Sequence, residues 1–346
     1  MTLSATRESE QRAASSEQRE LSQDMRVVVL GSGSSGNALL VESCGTRIMI
    51  DAGIGPKVAA SRLAELGIDL RPGELHGIVA THHHGDHFGH ADKLASAFGA
   101  PLYLHPGIAA PAGRHRPRRL DAEVEDSGAP SSDPASNDSS KRPTRPASDA
   151  GALTDGGAPS SRPRRRRSAP SEEEAAPIEV RRYEIGRDFR IGEVTIATVH
   201  VPHDAAQVAV RVDDGTRALG VATDVGRVTS NLVALLADCD AALVEANHCA
   251  EMLAFSEYPD VVKRRVGGGW GHPSNTQTAE LAARLVGSRI ARLWLGHLSR
   301  SNNTPARALE VVATRARRID VDVLPSGSPV ALDVRTTKPH QLGLRF

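Results

Sequence analysis

Short apolar runs and longer amphipathic segments alternate along the N-terminal third of the chain. The runs at 26–30, 37–42 and 47–50 are rich in valine, isoleucine and leucine and have the length of β-strands. The segments at 57–66 and 88–98 carry apolar residues at helical spacing instead. This alternation predicts an α/β fold.

The pattern of short strands returns in the second half of the chain. Further apolar or alternating runs predict strands at 178–180, 188–191, 194–199, 208–212 and 218–222. Because this set is separated from the first by a long polar stretch, we expect it to form a second sheet.

Two segments lack the apolar residues that a core requires. Residues 1–24 are polar and charged, and residues 113–177 consist mainly of Pro, Ser, Arg, Asp and Gly. We predict a disordered N-terminal tail and a disordered insertion within one domain that spans residues 25–346, because neither segment can offset its ordering entropy. The basic block at 164–167 could recruit nucleic acid through phosphate contacts, but a solvated linker of mixed charge is the favoured interpretation.

The bulk composition limits the classes of partner and compartment. Lysine plus arginine equals aspartate plus glutamate at 42 each, so the net charge gives no argument for nucleic acid or membrane binding. Cys44, Cys239 and Cys249 lie far apart without Cys-x-x-Cys spacing, which indicates a reducing compartment. The sequence has no apolar leader and no apolar run of about 18 residues or more. We therefore expect a cytoplasmic protein without a membrane span.

A glycine-rich stretch after the first predicted strand matches a nucleotide-binding pattern. Residues 31–36 satisfy G-x-G-x-x-G, and Asp51 follows about 20 residues after the first glycines. That fingerprint requires a helix after the glycines, whereas the next apolar run is typical of a strand. We therefore expect the glycines to allow a tight backbone turn. Asp51 either supports the site described next or caps the helix at 57–66.

The strongest chemical signal is a cluster of histidines and one aspartate after a buried strand. His82, His84, Asp86 and His87 form the pattern H-x-H-x-D-H directly after the apolar run at 76–80. Imidazole nitrogen and carboxylate oxygen suit zinc and its first-row neighbours, and a catalytic ion keeps one position for water. Four candidate ligands exceed what one such ion can take, so the cluster suggests two ions. A histidine-rich loop that binds metal adventitiously is the alternative.

The cluster resembles the signature of the metallo-β-lactamase superfamily. The resemblance implies a four-layer αββα sandwich with a dinuclear metal site along one edge of its two sheets. One branch of this superfamily is the YycJ/WalJ-like branch. Pro273 departs from the pattern of that branch, which usually has leucine at this position. Further motifs are similar to those of this branch: Gly31-Ser32-Gly33-Ser34-Ser35-Gly36-Asn37, Glu245-Ala246-Asn247-His248, Tyr258-Pro259, Gly271-His272-Pro273-Ser274-Asn275, and His297-Leu298-Ser299 with Asn302-Asn303.

The resemblance also implies a complete ligand set for two divalent ions, zinc or manganese. His203 is preferred to His200 because His203-Asp204-Ala205 is similar to a motif of the branch. The set comprises three ligands for a first ion, three for a second and one bridging carboxylate: His82, His84 and His203; Asp86, His87 and His297; and Asp224.

For activity, the branch implies phosphodiester hydrolysis on nucleic acid, with a 5′-to-3′ exonuclease on DNA as the nearest case. Two ions can activate water and neutralise charge on the phosphate oxygens. The candidate catalytic residues are Asp86, His272 and His248, and either histidine could protonate the leaving oxygen, since histidine titrates near neutral pH. His272 is favoured because Ser274 and Asn275 could orient it or hold a phosphate. Either histidine could instead be purely structural.

Other classes of function fit the same ligands. A thioester or lactone hydrolase of the superfamily would share all of them but has no evident need for His248 and His272. A non-catalytic metal-binding regulator is disfavoured because no ligand position is lost. The interval from His203 to Asp224 is too short for the arm of RNA-processing relatives, and that from Asp224 to His297 is too short for the extra domain of RNA exonucleases.

Overall fold

The computed structural model describes residues 25–111, 115–119 and 177–335. The strands in chain order are β1 Met25–Gly31, β2 Ala38–Ser43, β3 Thr46–Ile50, β4 Gly77–Val79, β5 Leu102–Leu104, β6 His115–Arg119, β7 Ile178–Arg182, β8 Phe189–Ile191, β9 Val194–Val201, β10 Gln207–Asp213, β11 Ala218–Ala222, β12 Ala241–Glu245, β13 Arg292–Gly296, β14 Asp320–Val323 and β15 Val330–Val334. The helices are α1 Pro56–Glu65, α2 Gly85–Phe88, α3 Ala91–Phe98, α4 Ser230–Ala237, α5 Ala250–Ala254, α6 Asp260–Val266, α7 Asn275–Leu285 and α8 Pro305–Ala313.

The strands form two mixed sheets. The first has the spatial order β15-β1-β2-β3-β4-β5-β7-β6, and the second has the order β14-β13-β12-β11-β10-β9-β8. Strands β3, β4 and β5 run parallel in the first sheet, and β11, β12, β13 and β14 run parallel in the second. The residues that follow neighbouring parallel strands therefore meet at a common edge of each sheet.

Apolar side chains pack in three layers. Within β2, Leu39 and Val41 join the core between the two sheets, where Trp294 is also buried, whereas Leu40 packs on the helical side. Successive side chains of a strand point to opposite faces, so a strand covered on both faces has a continuous apolar run. Helices α1 and α3 cover the first sheet, and α4, α7 and α8 cover the second. The expected αββα sandwich is confirmed.

The glycine-rich stretch makes a tight turn and precedes a strand. Strand β2 follows it and pairs antiparallel with β1 and β3, so the helix that a dinucleotide fingerprint requires is replaced by a strand. Gly33 and Gly36 have φ angles of 134° and 132°, which L side chains rarely adopt. A Cβ on Gly36 would lie 2.6 Å from the carbonyl oxygen of Gly53. The predicted turn is therefore confirmed.

Part of the predicted disorder lies outside the described residues, namely the tail at 1–24 and most of the insertion at 113–177. Within that insertion, residues 115–119 form β6, which pairs parallel with β7. The prediction of disorder does not hold for these five residues. A polar segment can pair there because the end of a sheet offers unpaired backbone groups to any chain. Among the described residues, no helix combines the length and apolar character needed to cross a membrane.

Candidate metal centre

Strand ends bring the predicted ligands to one edge of the sandwich. The loop after β4 contains His82 and His84, and helix α2 contains Asp86 and His87. The other three predicted ligands lie one or two residues beyond the ends of β9, β11 and β13, and they are His203, Asp224 and His297. Four separated segments therefore contribute to one site.

The candidate ligand atoms form overlapping groups. In each group the atoms lie within 4.8 Å of one another. We call His82, His84 and His203 the first group, and Asp86, His87 and His297 the second group. A further group joins the two and consists of His82, His87 and Asp224, and a fourth consists of Asp224, Glu245, His272 and His297. All seven predicted ligands are thus brought together.

Asp224 lies between the first and second groups. Its Oδ2 is 2.7 Å from Nε2 of His87 and 3.3 Å from Nε2 of His82, so one carboxylate oxygen contacts an imidazole of each group. Its Oδ1 is 3.1 Å from Nδ1 of His272 and 3.3 Å from Nδ1 of His297. This position fits the bridging role that the resemblance implies.

Three residues of the site have left-handed backbone conformations. Asp51, Asp224 and His297 have φ angles of 62°, 54° and 55°, and each follows the end of a strand. A non-glycine residue held in this region costs about 1–3 kcal/mol, and such strain clusters at functional sites. The turn at each strand end is therefore maintained by the contacts that the side chains make.

Asp51 orients one ligand of the second group. Its Oδ2 is 2.6 Å from Nδ1 of His87, and the backbone N–H and hydroxyl of Thr81 donate to its Oδ1 at 2.8 and 2.9 Å. Because Nδ1 is engaged, Nε2 of His87 is left to face Asp224. Helix α1 is capped at Gly55 without a side-chain hydrogen bond, so the alternative role of Asp51 as a helix cap is wrong.

A carboxylate that the sequence analysis did not select, Glu245, holds two histidines. Its Oε1 accepts hydrogen bonds from Nδ1 of His297 at 2.6 Å and from Nδ1 of His272 at 2.8 Å. The backbone N–H of Val225 donates to Oε2 at 2.9 Å. These distances are typical of charge-assisted hydrogen bonds. Glu245 therefore fixes the orientation of both rings.

A sequence signal for Glu245 did exist. It is the last residue of β12, which lies between β11 and β13 in the second sheet. The flanking strands are followed by Asp224 and His297, so a charged residue at the end of the apolar run 241–244 belongs to the same edge. A carboxylate behind a metal-binding histidine commonly sets its ring orientation and basicity.

The first group has different support. Nδ1 of His203 donates to the carbonyl oxygen of Gly271 at 3.1 Å, and its Nε2 lies 3.3 Å from Nδ1 of His84. Asp204 places Oδ1 3.1 Å from Nε2 of His203 and 3.4 Å from Nε2 of His84. Arg265 donates to the other oxygen of Asp204 at 2.7 and 3.0 Å. The carboxylate near this group is therefore shared with an arginine.

The pKa shifts of the imidazoles separate the two groups. Burial lowers the pKa of His82 and of His84. Burial also opposes charge on His87, but the carboxylates of Asp224 and Asp51 raise its pKa to about 10. The pKa of His297 is raised well above its usual value against burial, mainly by carboxylates 224 and 245. Without metal, His87 and His297 therefore take up protons more readily than His82 and His84.

The buried carboxylates remain ionised. Burial would raise the pKa of Asp224, but neighbouring histidines 297 and 87 lower it well below the usual value. For Glu245, His272 and His297 outweigh burial and lower the pKa to about 2. Two buried anions among imidazoles form a site for cations, either protons or a metal ion.

Unpartnered buried atoms fit the binding of divalent metal. Nε2 of His82, Nε2 of His297 and Oδ1 of Asp224 are buried and have no hydrogen-bond partner within the described part of the chain. A buried polar atom without a partner is costly. Each of these atoms belongs to a ligand group, and imidazole with carboxylate suits first-row divalent ions. The donor set therefore fits a divalent cation.

Comparison with known families agrees with this geometry. The family model of the metallo-beta-lactamase superfamily matches residues 31–219, more than half of the chain. The chain belongs to the metallo-β-lactamase superfamily. A second model, described as a beta-lactamase superfamily domain, matches residues 153–298.

Individual relatives place the chain near one branch of the superfamily. Exodeoxyribonuclease WalJ of Streptococcus pneumoniae is 27% identical over 85% of this chain and 89% of its own length. Exodeoxyribonuclease YycJ of Bacillus anthracis is 24% identical over 80% of this chain and 83% of its own. The crystal structure of the metallo-beta-lactamase fold protein YhfI from Bacillus subtilis superposes with a TM-score of 0.53 at 14% identity, covering 88% of this chain and 99% of that one. The resemblance to the YycJ/WalJ-like branch is confirmed.

Two motif residues of the branch do not have the predicted contacts. Ser274 caps helix α7 in a capping box with Gln277, and Asn275 exchanges side-chain hydrogen bonds with Asn303. Both side chains are therefore committed to the local structure around α7. Glu245, and not this pair, orients His272.

The two candidate proton donors differ in their surroundings. His272 is partly exposed, and Glu245 and Asp224 raise its pKa to about 10 although burial opposes this. His248 is buried, its Nδ1 has no hydrogen-bond partner among the described residues, and burial lowers its pKa to about 4. His248 belongs to none of the ligand groups found in the described residues.

Proposed function

We propose that this protein is a metal-dependent phosphodiesterase that acts on nucleic acid, as a 5′-to-3′ exonuclease on DNA. The proposal rests on one observation, the Glu245–His272 pair at the candidate metal centre, where both residues also form a candidate ligand group with Asp224 and His297. Such a pair serves to protonate an alkoxide leaving group, which a phosphodiester presents. The printed names of the WalJ and YycJ relatives, both exodeoxyribonucleases, support the same choice.

The ligand assignment of the proposal follows the two groups. The first group would hold one divalent ion, zinc or manganese, and the second group would hold another, with Asp224 between them. When bound, such ions lower the pKa of water to near neutrality and neutralise charge on phosphate oxygens. Asp86 is part of the second group, and its pKa is lowered by His297 and His87 despite burial, so it is a carboxylate at neutral pH.

His272 would act as the general acid. Its ring centroid lies 5.4 Å from that of His203 and 5.5 Å from that of His297, so it stands beside both ligand groups. Because Nδ1 donates to Glu245, the proton on Nε2 is available for a leaving oxygen. Glu245 would keep the ring oriented and stabilise its protonated form. His248 lacks a carboxylate partner of this kind and is assigned no role in proton transfer.

The substrate class is tested with the full chain supplied with zinc or manganese. The panel contains 5′-phosphorylated duplex DNA, single-stranded DNA, RNA, a lactone and a thioester. We expect release of nucleotides from the DNA substrates, loss of activity with a chelator, and no activity in Asp86→Ala. Cleavage confined to the lactone or thioester would overturn the proposal and favour an ester hydrolase.

The role of His272 has its own test. His272→Asn is expected to slow DNA hydrolysis by about 10²–10⁴-fold, the range of general acid catalysis. An activated diester such as bis(p-nitrophenyl) phosphate has a leaving group that needs no proton. The variant should therefore hydrolyse this diester at a rate much closer to that of the wild type. Equal losses on both substrates would assign His272 a positioning role.

A further inference from the structure

Three exposed aromatic side chains lie in one segment beside the ligand groups. Phe255, Tyr258 and Trp270 are 89%, 37% and 57% exposed. Aromatic residues make up only 3% of the chain, and the other aromatic residues that the structure describes are buried or partly buried. Water-exposed aromatics concentrated in one segment make that segment a candidate for a binding surface.

We call residues 250–271 the arm. It comprises helices α5 and α6 and the loop that follows, and it lies in the chain between Glu245 and His272. The hydrogen bond between those two residues closes its base. Leu253 is the one buried side chain of α5, and α6 has none. The arm is therefore attached at the site and contributes little to the core.

Trp270 stands at the rim of the metal centre. The backbone of Gly269 and Trp270 packs on Gly226, where a Cβ would lie 2.5 Å from the carbonyl oxygen of Gly269. Gly226 follows Asp224 by two positions. The next residue after Trp270, Gly271, accepts the hydrogen bond from Nδ1 of His203. The indole is thus anchored through its neighbours to both the bridging carboxylate and the first group.

The charge around Trp270 favours an anionic partner. The guanidinium of Arg227 lies 5.7 Å from the centroid of the indole ring. From position 261 to 271 the charged residues are Lys263, Arg264 and Arg265, all cations. The acidic residues of the arm, at positions 251, 257 and 260, precede this stretch. A polyanion that reached the rim would therefore meet arginine and tryptophan together.

We propose that Trp270 and Arg227 bind an unpaired base of the nucleic acid next to the phosphate in the metal centre, while the basic end of α6 binds neighbouring phosphates. Aromatic faces stack with bases of any sequence, and arginine adds charge and stacking. In a duplex a terminal base is held by its pairing partner and by stacking on the next base pair, so this site favours single-stranded ends. The inference depends on the proposed function for its ligand class.

The two tryptophans allow a direct measurement. Trp294 is 1% exposed and Trp270 is 57% exposed, so the long-wavelength part of the fluorescence emission reports Trp270. The full-length, metal-loaded protein is titrated with phosphorothioate oligothymidylate, which resists hydrolysis. We expect quenching by this strand and none by an abasic strand of equal length and charge. Equal quenching by both strands, or no quenching by either, would overturn the proposal.

Variants then measure the contribution of the indole to affinity. In anisotropy titrations with the same strand, Trp270→Ala should bind about fivefold or more weakly, because stacking contributes about 1–3 kcal/mol per base. Trp270→Phe should retain most of the affinity. Val58→Ala, which changes an exposed side chain of α1, is the matched control and should bind like the wild type.

The contrary outcomes separate this inference from the proposed function. If Trp270→Ala binds the strand as tightly as the wild type does, the inference fails. If the variant also alters self-association in sedimentation, the arm is a contact between copies of the chain. These titrations involve no cleavage. Quenching without hydrolysis of any nucleic acid would therefore overturn the hydrolytic activity alone, and hydrolysis without quenching would overturn the inference alone.

Discussion

The two ligand groups use the same side-chain types but are supported in different ways. In the second group, His87 and His297 each have Nδ1 2.6 Å from a buried carboxylate, that of Asp51 or Glu245. In the first group, His203 donates to the carbonyl oxygen of Gly271. The second group is therefore supported by buried carboxylates, whereas the first is supported by a backbone carbonyl and by the partly exposed carboxylate of Asp204.

That difference changes what each group binds in the absence of metal. The pKa of His87 is raised to about 10 by Asp224 and Asp51 although burial opposes it, whereas burial lowers the pKa of His82. A metal ion must displace protons from His87 and His297 but meets a neutral imidazole at His82. The identity of the ligands alone therefore does not decide metal affinity, because the residues that hydrogen-bond to the ligands set the charge of the imidazoles.

The largest effect should come from the residue that both groups share. Asp224→Ala removes the carboxylate that contacts His82 and His87, so we expect weak binding at both positions and no detectable hydrolysis. Metal content after gel filtration and turnover of DNA give the two readouts. Asp238→Ala, at an exposed carboxylate, is the control. A fully metal-loaded Asp224→Ala protein would contradict the assignment of Asp224 as the bridge.

A smaller effect should distinguish the supports of the two groups. Glu245→Gln keeps the shape but removes the charge behind His297, and we expect metal affinity to fall by about 10–100-fold. Asp204→Asn should cost less, because Asp204 is half-exposed and already shared with Arg265. Competition with a chromophoric chelator measures both variants. Equal losses would show that the supports are equivalent.

The stability of the metal-free protein should depend on pH through His87 of the second group and through the neighbouring residues His272 and Glu245. The pKa of His87 and of His272 is about 10 in the folded state against an ordinary 6.5. Their contribution is therefore complete below about pH 6.5 and is lost as pH rises through about 10. The pKa of Glu245 is about 2, so its contribution is present above about pH 4.5 and is lost as pH falls toward 2.

Urea unfolding of chelator-treated protein tests this dependence. We expect the midpoint to fall between about pH 7 and pH 10, and to fall less in Glu245→Gln, which lacks the partner of His272 and His297. A midpoint that stays constant over this range would show that the histidines are neutral in the folded protein.

The smallest effect should come from the outer edge of the first group. Arg265 is exposed and pairs with Asp204, and exposed ion pairs contribute only about 0.2–1 kcal/mol. Arg265→Ala should therefore change metal affinity by less than about fivefold. A loss as large as that of Glu245→Gln would mean that the first group depends on charge as much as the second.

The sequence predicted most strands and helices because a strand buried on both faces has a continuous apolar run and a helix packed on a sheet has apolar residues at helical spacing. Strand β2 was predicted from its continuous apolar run, and helix α3 from apolar residues at helical spacing. The strand after the glycines also excluded a nucleotide fold. The polar residues 115–119 were missed as a strand, since pairing at the end of a sheet needs backbone groups and not apolar side chains.

The supporting residues of the site were harder to predict. Glu245 belongs to a motif of the branch, but the sequence does not distinguish it as a site residue, because a single carboxylate after a strand resembles any turn residue. Ser274 and Asn275 were expected to orient His272, but they stabilise the start of α7 and its contact with Asn303. Hydrogen-bond partners of this kind are set by distances between segments that are remote in the chain.

By itself, the sequence determined the family, the order of strands and helices, and which imidazoles and carboxylates stand at strand ends, because motif spacing and hydrophobic periodicity are local properties. The tertiary structure decided how those residues are used. Only the parallel arrangement of β11, β12 and β13 places Glu245 between Asp224 and His297, and only the packed sandwich holds Asp51, Asp224 and His297 at positive φ. The physical reason is that charge and orientation in a buried site depend on neighbours in space, which local sequence patterns do not encode.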